Sequence, residues 1–235
     1  MAARARHAPT ATLEQLAGSG DVLALVPHPD DESLAMGGAI AAASSAGRQV
    51  HVVMVTDGAR SHPNSRTHPP HVLSALRRRE LADAVSVLTG DRGTIVWLGY
   101  PDMAAPDSAE AFGTIGRRIS TLFFDVTAIW TTWNGDPHPD HQRVWRLGEW
   151  LASRKRIPKL FGCPVWGRVQ TPVEGASSEG MLRFPTADYR FIKARAIAAH
   201  GSQMTGLIAD DPEGFRMPRD LAQHFVEADE IFIPA

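Results

Sequence analysis

The sequence predicts an α/β fold with a mostly parallel sheet, and two patterns carry that prediction. Short apolar runs rich in Val and Ile recur along the chain, and segments with helical spacing of their apolar residues separate them. This alternation is typical of βα units, in which strands pair in parallel and helices cover the sheet. With 235 residues, 43% of them hydrophobic, the chain can form one such domain with a large core.

The predicted strands are short, apolar and bounded by polar residues, glycine or proline. They cover 22–26, 50–55, 94–98, 128–131, 158–163 and 231–233. The predicted helices have apolar residues at intervals of three and four positions. They cover 34–46, 72–88, 109–123, 142–153, 187–199 and 220–226. The first of these helices is rich in Ala and stops at Gly47.

The ends and the composition limit the class of protein. We expect a flexible N-terminal arm over 1–20 and a single domain over 21–235. The formal charge of -2 gives no electrostatic reason to expect a nucleic-acid partner. Cys163 is the only cysteine, which excludes a disulfide framework and a thiolate zinc site. The sequence contains neither the apolar core of a signal peptide nor a run of ~20 apolar residues. We therefore expect a cytoplasmic protein without a transmembrane segment. The sequence does not determine the oligomeric state, and a homo-oligomer is possible.

The tripeptide His-Pro-Asp occurs twice, within HPDDE at 28–32 and within HPDH at 138–141. Each copy follows a predicted strand, as does Thr-Asp-Gly at 56–58. Because ligands bind beyond the carboxyl ends of the strands in such sheets, we expect these segments to gather at one edge. Their imidazole and carboxylate groups are ligands for a divalent metal at neutral pH.

The two copies together offer enough groups for one hydrolytic metal site. A catalytic zinc ion typically keeps three protein ligands and one position for water. His28, Asp31 and His141 make such a set, which leaves Asp30 and His138 free to transfer protons. A carboxylate can take a proton from the attacking water, and a histidine can stabilise the oxyanion or protonate the leaving amine.

Simpler interpretations of the same residues stay open at this point. Asp30 or Asp31 can serve as a helix cap, and His138 and His141 can be solvated loop residues. The positions of these residues beyond strand ends, and the presence of two copies, favour the metal site.

With these motifs the chain resembles the PIG-L/LmbE-like family of zinc-dependent N-acetylglucosaminyl deacetylases. The resemblance rests on PHPDDE at 27–32 and HPDH at 138–141, with weaker matches at 56–58, 98–102 and 193–203. It implies a Rossmann-like three-layer fold and a catalytic domain over 21–235. It further implies hydrolysis of an N-acetyl group on an amino sugar or glycoconjugate, with bound Zn2+ or another divalent metal such as Fe2+.

The same resemblance implies roles for individual residues. The metal ligands are the three already derived from chemistry, namely His28, Asp31 and His141. Asp30 is implied as the general base, and His138 as the oxyanion stabiliser or general acid. Asp140 is implied to orient a neighbouring histidine through a hydrogen bond.

The residues expected to contact the substrate lie outside the two His-Pro-Asp motifs or beside them, so the sequence identifies them less directly than the metal ligands. The resemblance places Arg77 and Asp102 among the sugar-contacting groups, although Arg77 belongs to a run of three arginines that can also form a solvated helix face. The chain departs from the family pattern at Asp136, where relatives acting on mycothiol precursors have tyrosine, and at Ala59, where glutamate is usual. We expect both positions at the substrate rim, so the departures leave the identity of the sugar open.

Two other classes of function compete with the deacetylase. A nucleotide-binding module needs a glycine-rich turn after the first strand, where this chain has His-Pro-Asp. A metal-dependent esterase or phosphatase keeps the metal, but a two-metal phosphatase needs more bridging carboxylates than these motifs offer. The leading prediction is a metal-dependent N-deacetylase with a small amino-sugar substrate.

Overall fold

Seven strands form one mixed sheet. The computed structural model describes residues 2–235. The strands are Asp21–Val26 (β1), Val50–Thr56 (β2), Thr94–Tyr100 (β3), Val126–Thr132 (β4), Lys159–Cys163 (β5), Leu182–Phe184 (β6) and Glu230–Pro234 (β7). They pair in the order β3-β2-β1-β4-β5-β7-β6. Strands β1 to β5 are parallel, whereas β7 runs antiparallel to both β5 and β6.

Helices cover both faces of this sheet. The α-helices are Ala2–His7 (α1), Leu13–Ala17 (α2), Asp31–Ser45 (α3), Pro70–Thr89 (α4), Ala109–Arg118 (α5), Pro139–Lys155 (α6), Arg190–Ala199 (α7), Gly201–Met204 (α8) and Arg219–Glu227 (α9). Short 3-10 helices cover Ser120–Phe124, Trp166–Arg168 and Ala187–Tyr189. Alternate residues of β1 enter different cores, so Val22 packs on the α3 side and Leu23 on the α6 side. The predicted three-layer α/β fold is confirmed.

The strand order creates a switch point between β1 and β4. The chain continues from β1 through β2 to β3 on one side, and then returns to place β4 on the other side of β1. In doubly wound sheets, ligands bind in the crevice beyond the carboxyl ends of the strands at such a point. The first His-Pro-Asp follows β1 and the second follows β4. The topology therefore brings the two copies to the same crevice.

Helix α3 runs through the middle of the fold and is buried from Asp31 to Ser44. Its Ala and Gly residues permit this close packing, since a Cβ on Gly38 would lie 2.7 Å from Cγ2 of Thr186. The carboxylate of Glu230 accepts the N–H of Gly38 at 2.6 Å, beside a non-helical residue at Met36. Glu230 thereby supplies an acceptor next to the kink, where regular helical bonding is interrupted.

The observed elements differ from the predicted ones mainly at helix starts and at the sheet edge. Helices α3 and α6 begin inside the two motifs, so the motif residues form the first helical turns. The predicted helix over 109–123 ends at Arg118 and continues as a 3-10 turn. Strand β6 was not predicted, because three residues paired to β7 leave little pattern in the sequence.

The N-terminal segment lies against the domain from Ala8 onward. Thr10 forms a bridge with Arg183, and Nε1 of Trp130 donates to the carbonyl oxygen of Leu16 at 3.1 Å. The division into an arm at 1–20 and a catalytic domain at 21–235 stays a prediction, and Met1 lies outside the described residues. Over residues 2–235, no helix combines the length and apolar character needed to cross a membrane.

Candidate metal centre

Three side chains from two strand ends meet beyond the sheet. His28 lies two residues after β1, Asp31 begins α3, and His141 lies in the first turn of α6. Oδ2 of Asp31 is 3.3 Å from Nδ1 of His28 and 3.5 Å from Nε2 of His141. All three residues are buried. The structure therefore brings together the residues predicted as metal ligands.

The opposite nitrogen of His28 faces two other carboxylates. Nε2 lies 3.3 Å from Oδ1 of Asp102 and 3.3 Å from Oδ2 of Asp140. A proton on Nε2 satisfies these acceptors and leaves the lone pair of Nδ1 directed toward Asp31. Carboxylates in this position fix the tautomer of a ligand histidine and raise its basicity.

The His141 ring is oriented in the same manner by Asp136. Nδ1 of His141 is 2.8 Å from Oδ2 of Asp136, which makes Nδ1 the protonated nitrogen. Nε2 of His141 is buried and has no hydrogen-bond partner among the described residues. A buried polar atom without a partner costs free energy, and a group bound to this nitrogen would remove that cost.

The donor set fits a divalent cation. Burial alone would raise the pKa of Asp31, but the neighbouring His141 and His28 outweigh it and lower that pKa to about 2. One charged carboxylate and two imidazole nitrogens form the ligand set of many catalytic zinc and non-haem iron sites. The fit rests on the orphaned Nε2 of His141, which a metal ion would satisfy.

Among the described residues, two other groups of potential ligand atoms include His28. In one of them His138 joins His28 and His141, with the ligand atoms within 4.8 Å of one another. The other group lies on the opposite side of His28. The ligand atoms of His28, Asp102 and Asp140 are all within 4.8 Å of one another. Asp140 also accepts the backbone N–H of Met103 at 2.8 Å and of Ala105 at 3.1 Å. These bonds occupy both oxygens of Asp140, so we interpret this group as support for His28. That Asp140 orients a neighbouring histidine stays a prediction, and its Oδ2 lies 3.3 Å from Nε2 of His28.

Asp30 stands before α3 in an unusual backbone conformation. Its φ of 131° lies where residues other than glycine are rare. The N–H of Asp30 donates to Oε2 of Glu32 at 3.0 Å, and Oδ2 of Asp30 accepts from Nη2 of Arg77 at 3.2 Å. Asp30 makes no side-chain capping bond to the helix. Its carboxylate therefore lines the cavity beside Asp31 instead of capping α3.

The environment of Asp30 changes its acidity. Burial raises the pKa of Asp30 to about 7, although the positive charge of Arg77 opposes the rise. A divalent cation held by Asp31 would lower this pKa again. A carboxyl group whose pKa lies near the working pH is suited to accept and release a proton.

Arg77 lies behind Asp30 and is only 3% exposed, so a solvated helix face is excluded for this residue. Nη1 of Arg77 donates to the carbonyl oxygen of Gly58 at 2.7 Å, and Nη2 donates to the carbonyl oxygen of Pro29. A Cβ at Gly58, whose φ is +62°, would lie 2.2 Å from Nη1. Arg77 thus joins two strand-end loops to Asp30. Its predicted contact with the sugar stays a prediction, although it does line the cavity.

His138 is the N-cap of α6 and lies beside both candidate ligand histidines. The centroid of its ring is 4.6 Å from that of His28 and 5.1 Å from that of His141. Nδ1 of His138 accepts the N–H of Asp140 at 3.2 Å, so a neutral ring carries its proton on Nε2. Burial and the neighbouring histidines lower the pKa of His138 to about 4. The ring is neutral at pH 7 and can donate a hydrogen bond.

The structure corrects the prediction that Asp136 lies at the substrate rim. Asp136 is fully buried behind His141. Its Oδ1 accepts the N–H of Gly167 at 2.6 Å, and its Oδ2 accepts the N–H of Val165 at 2.9 Å. With its oxygens occupied by His141 and these amides, Asp136 has no free atom for a sugar. It orients a candidate ligand instead.

A cavity of about 250 Å³ opens in front of the candidate centre. Its polar side includes Asp102, which is 8% exposed and accepts the N–H of Arg60 at 3.1 Å. Its apolar side includes Trp166 and Phe215, whose rings meet edge to face at 5.8 Å. A space of this kind suits a molecule with one polar and one apolar side.

Several residues that line this cavity were not predicted. Trp166 begins a 3-10 turn, and Phe215, Met217 and Ser61 lie in loops that carry no motif. Their positions depend on how distant loops fold over the crevice, and a local pattern does not report that. Gln203 is the exception, since it belongs to one of the weaker family matches.

Comparison with known proteins relates this fold and site to one enzyme family. The family model for PIG-L, described as GlcNAc-PI de-N-acetylase, matches residues 23–151, which is more than half of the chain. The mycothiol S-conjugate amidase of Streptomyces coelicolor is 23% identical over 271 residues, covering 89% of each chain. A 1D-myo-inositol 2-acetamido-2-deoxy-alpha-D-glucopyranoside deacetylase of Kineococcus radiotolerans is 29% identical over 57% of this chain and 45% of its own.

A solved structure with the same fold comes from Pyrococcus horikoshii. The N,N'-diacetylchitobiose deacetylase of that organism superposes with a TM-score of 0.65 and 20% identity, over 92% of this chain and 83% of its own. At that identity the likeness establishes the fold alone. The names of the curated relatives confirm the predicted enzyme class, a hydrolytic N-deacetylase. The chain belongs to the PIG-L family of de-N-acetylases.

Proposed function

We propose that this protein is a zinc-dependent hydrolase that removes the N-acetyl group from an N-acetylglucosamine-type sugar or glycoconjugate. The observation that carries the proposal is the buried Nε2 of His141, which lies 3.5 Å from Oδ2 of Asp31 and has no hydrogen-bond partner within residues 2–235. The names of the curated relatives support the substrate class, since both act on mycothiol-related or acetamido-sugar compounds by their descriptions.

His28, Asp31 and His141 would hold the metal. Zinc suits two nitrogens and one carboxylate oxygen, and Fe2+ is compatible with the same donors. When bound, such an ion acidifies a water molecule and polarises a carbonyl group. The carboxylates of Asp136, Asp140 and Asp102 would keep the ligand rings in the required tautomers.

Asp30 would act as the general base. Its carboxylate lines the cavity next to Asp31, and Arg77 and Glu32 hold it in a conformation that the backbone alone does not favour. Asp30 would take the proton of the attacking water and pass it toward the leaving amine. A base held in place in this manner contributes roughly 10²–10⁴-fold to rate.

His138 would stabilise the negative charge that develops on the carbonyl oxygen. Its Nδ1 is occupied by the backbone of Asp140, so its Nε2–H is the available donor. A donor that needs no reorganisation is worth roughly 10²–10³-fold in turnover. Proton donation to the leaving amine is the alternative role for the same atom, and it would require the protonated ring, because a neutral imidazole that lost this proton would be left as an imidazolate.

The cavity gives a basis for substrate selection. Its volume of about 250 Å³ accommodates one sugar ring near the centre. Asp102 and Arg77 would contact sugar hydroxyl groups, and the wall of Trp166 and Phe215 would contact an apolar part of the substrate. We propose a small molecule as the substrate for these reasons.

Metal analysis combined with a screen for acetate release tests this proposal. We expect about one zinc per chain, acetate release from at least one N-acetylglucosaminide in a panel of varied aglycones, and loss of activity with a chelator. The Asp30→Asn variant should retain the metal and lose activity by at least 10²-fold, whereas Asp107→Asn, in an exposed ion pair, should keep both. Phosphoester hydrolysis without acetate release, or full turnover by Asp30→Asn, would contradict the proposal.

A further inference from the structure

A second cavity, of about 460 Å³, lies apart from the metal centre and shares no lining residue with it. We call it the arginine cavity, because Arg6, Arg168, Arg183 and Arg190 line it. These residues come from α1, a 3-10 turn, β6 and the start of α7. Four separate segments of the chain therefore contribute an arginine side chain to the lining of the same cavity.

Arg168 is the most unusual of these groups. Its Nη1 is buried and has no hydrogen-bond partner among the described residues. The guanidinium instead lies over the ring of Phe225, with its carbon 5.4 Å from the ring centroid. Burial lowers the pKa of Arg168, and the charges of Glu230 and Asp229 oppose that change without reaching ion-pair distance. Arg168 as a whole is half-buried, but a buried guanidinium nitrogen without a partner is costly unless an anion joins it.

The acidic groups of the arginine cavity already have hydrogen-bond partners, one of which is a cavity arginine. Asp229 accepts from Arg183 and from the N–H of Thr186, and Glu227 accepts from Nε2 of Gln223 at 2.7 Å. Arg183 still has a buried Nε without a partner among the described residues. The cavity therefore keeps donors that its own carboxylates do not satisfy.

The rim of the arginine cavity adds exposed positive charge. Arg6 and Arg190 are exposed and make no ion pair within the described part of the chain. Counting the lining side chains, four guanidinium groups face two carboxylates, which leaves an excess of two positive charges. His224 also lines the cavity, and burial and the charge of Arg168 lower its pKa, so it adds a neutral hydrogen-bonding group.

We propose that the arginine cavity is a binding site for a phosphate group, either free or carried by a small molecule. The excess charge matches a phosphate dianion, and planar guanidinium groups pair with phosphate oxygens through two parallel hydrogen bonds. Arg168 would bind from the inner side and Arg190 from the rim. Arg183 would offer only its Nε, because Nη1 donates to Asp229 and Nη2 donates to Thr10. This site is independent of the proposed deacetylation.

Calorimetric titration of the metal-loaded protein with inorganic phosphate, at constant ionic strength, tests the site. We expect saturable binding to the wild type and at least about tenfold weaker binding to Arg168→Gln, because a charge-assisted hydrogen bond is lost. Arg190→Gln should also weaken binding, and because Arg190 is exposed this substitution should leave the fold intact. Arg195→Gln is the matched control, since Arg195 is exposed and lies over Phe191 outside the cavity.

Further titrations distinguish the sources of the phosphate and exclude the metal centre. Tighter binding of glucose 6-phosphate than of inorganic phosphate, with no binding of glucose, would identify a phosphorylated small molecule; the reverse order would identify the free ion. Either result supports the site. Absence of saturable phosphate binding would overturn the proposal, and so would binding that survives both Arg168→Gln and Arg190→Gln. Phosphate binding that disappears when the metal is removed would assign it to the metal centre instead.

Discussion

Nδ1 of His141 lies 2.8 Å from Oδ2 of Asp136, and this contact determines which nitrogen of His141 faces the candidate metal. With Nδ1 protonated, Nε2 presents a lone pair toward Asp31. Asp136 is in turn fixed by the N–H groups of Val165 and Gly167. The loop after β5 therefore helps, through Asp136, to orient the side chain of His141 on α6.

Replacing Asp136 by Asn should weaken metal binding more than it weakens the fold. The amide places a donor group near Nδ1 of His141 or the N–H of Val165, so the ring loses its fixed tautomer. Loss of such a support typically costs 10–100-fold in metal affinity. Competition with a chromophoric chelator measures the affinity, and Asp107→Asn serves as the control. Unchanged affinity in Asp136→Asn would refute the role given to this contact.

Arg77→Gln should lower turnover while the metal stays bound. Arg77 contacts Asp30 but none of the three candidate ligands, so its loss should misplace the proposed base alone. We expect a decrease in kcat of roughly 10²-fold at unchanged metal content. A larger KM with normal kcat would show that Arg77 acts on the sugar instead.

Gly58→Ala gives an independent check of the same arrangement. The added Cβ would lie 2.2 Å from Nη1 of Arg77, and the φ of +62° disfavours alanine. The variant should therefore show a decrease in kcat similar to that of Arg77→Gln, again with bound metal. Normal turnover in Gly58→Ala would mean that Arg77 can move without effect on Asp30.

The sequence identifies the candidate ligands because they belong to motifs at strand ends. His28 and His141 follow β1 and β4, and a parallel sheet brings such ends together. The role of Asp136 could not be predicted in that way, since it depends on amides of the distant Val165 and Gly167. Loop folding of this kind leaves no period or motif in the chain.

The arginine cavity illustrates the same limit on a larger scale. Three of its arginines lie far apart in the chain, at positions 6, 168 and 190. The sequence around each of them contains no motif that marks it as part of a binding site. They become neighbours only because β6 and β7 add an antiparallel extension to the parallel sheet. Strand β6 has only three residues, and the pattern of apolar residues in the sequence does not predict it.

The buried pair of Lys193 and Glu230 should contribute strongly to stability. Nζ and Oε1 are 2.6 Å apart and both side chains are fully buried. Glu230→Ala should cost about 3–5 kcal/mol in the free energy of unfolding, because it leaves a buried cation without a partner. Asp107→Ala removes an exposed pair of the same length and should cost about 0–1 kcal/mol. If urea denaturation gave equal losses in the free energy of unfolding for Glu230→Ala and Asp107→Ala, the role given to the buried pair would be wrong.

His51 should make the fold less stable in mild acid. Burial lowers the pKa of His51, although Asp21 opposes the change. The unfolded chain then binds a proton more readily than the folded protein, so stability decreases as the pH falls below about 6.5. His51→Gln can keep a bond to Thr94 and should lose less stability than the wild type between pH 7.5 and 5.5. His71→Gln, at an exposed position, should retain the wild-type dependence on pH.

The most direct test of the metal centre is anomalous diffraction at the zinc edge from crystals of the zinc-loaded protein. We predict one strong peak in contact with Nδ1 of His28, a carboxylate oxygen of Asp31 and Nε2 of His141. A peak on the opposite side of His28, between Asp102 and Asp140, would contradict the assignment of ligands. Full occupancy of zinc elsewhere, with no density beside His141, would contradict the account as a whole.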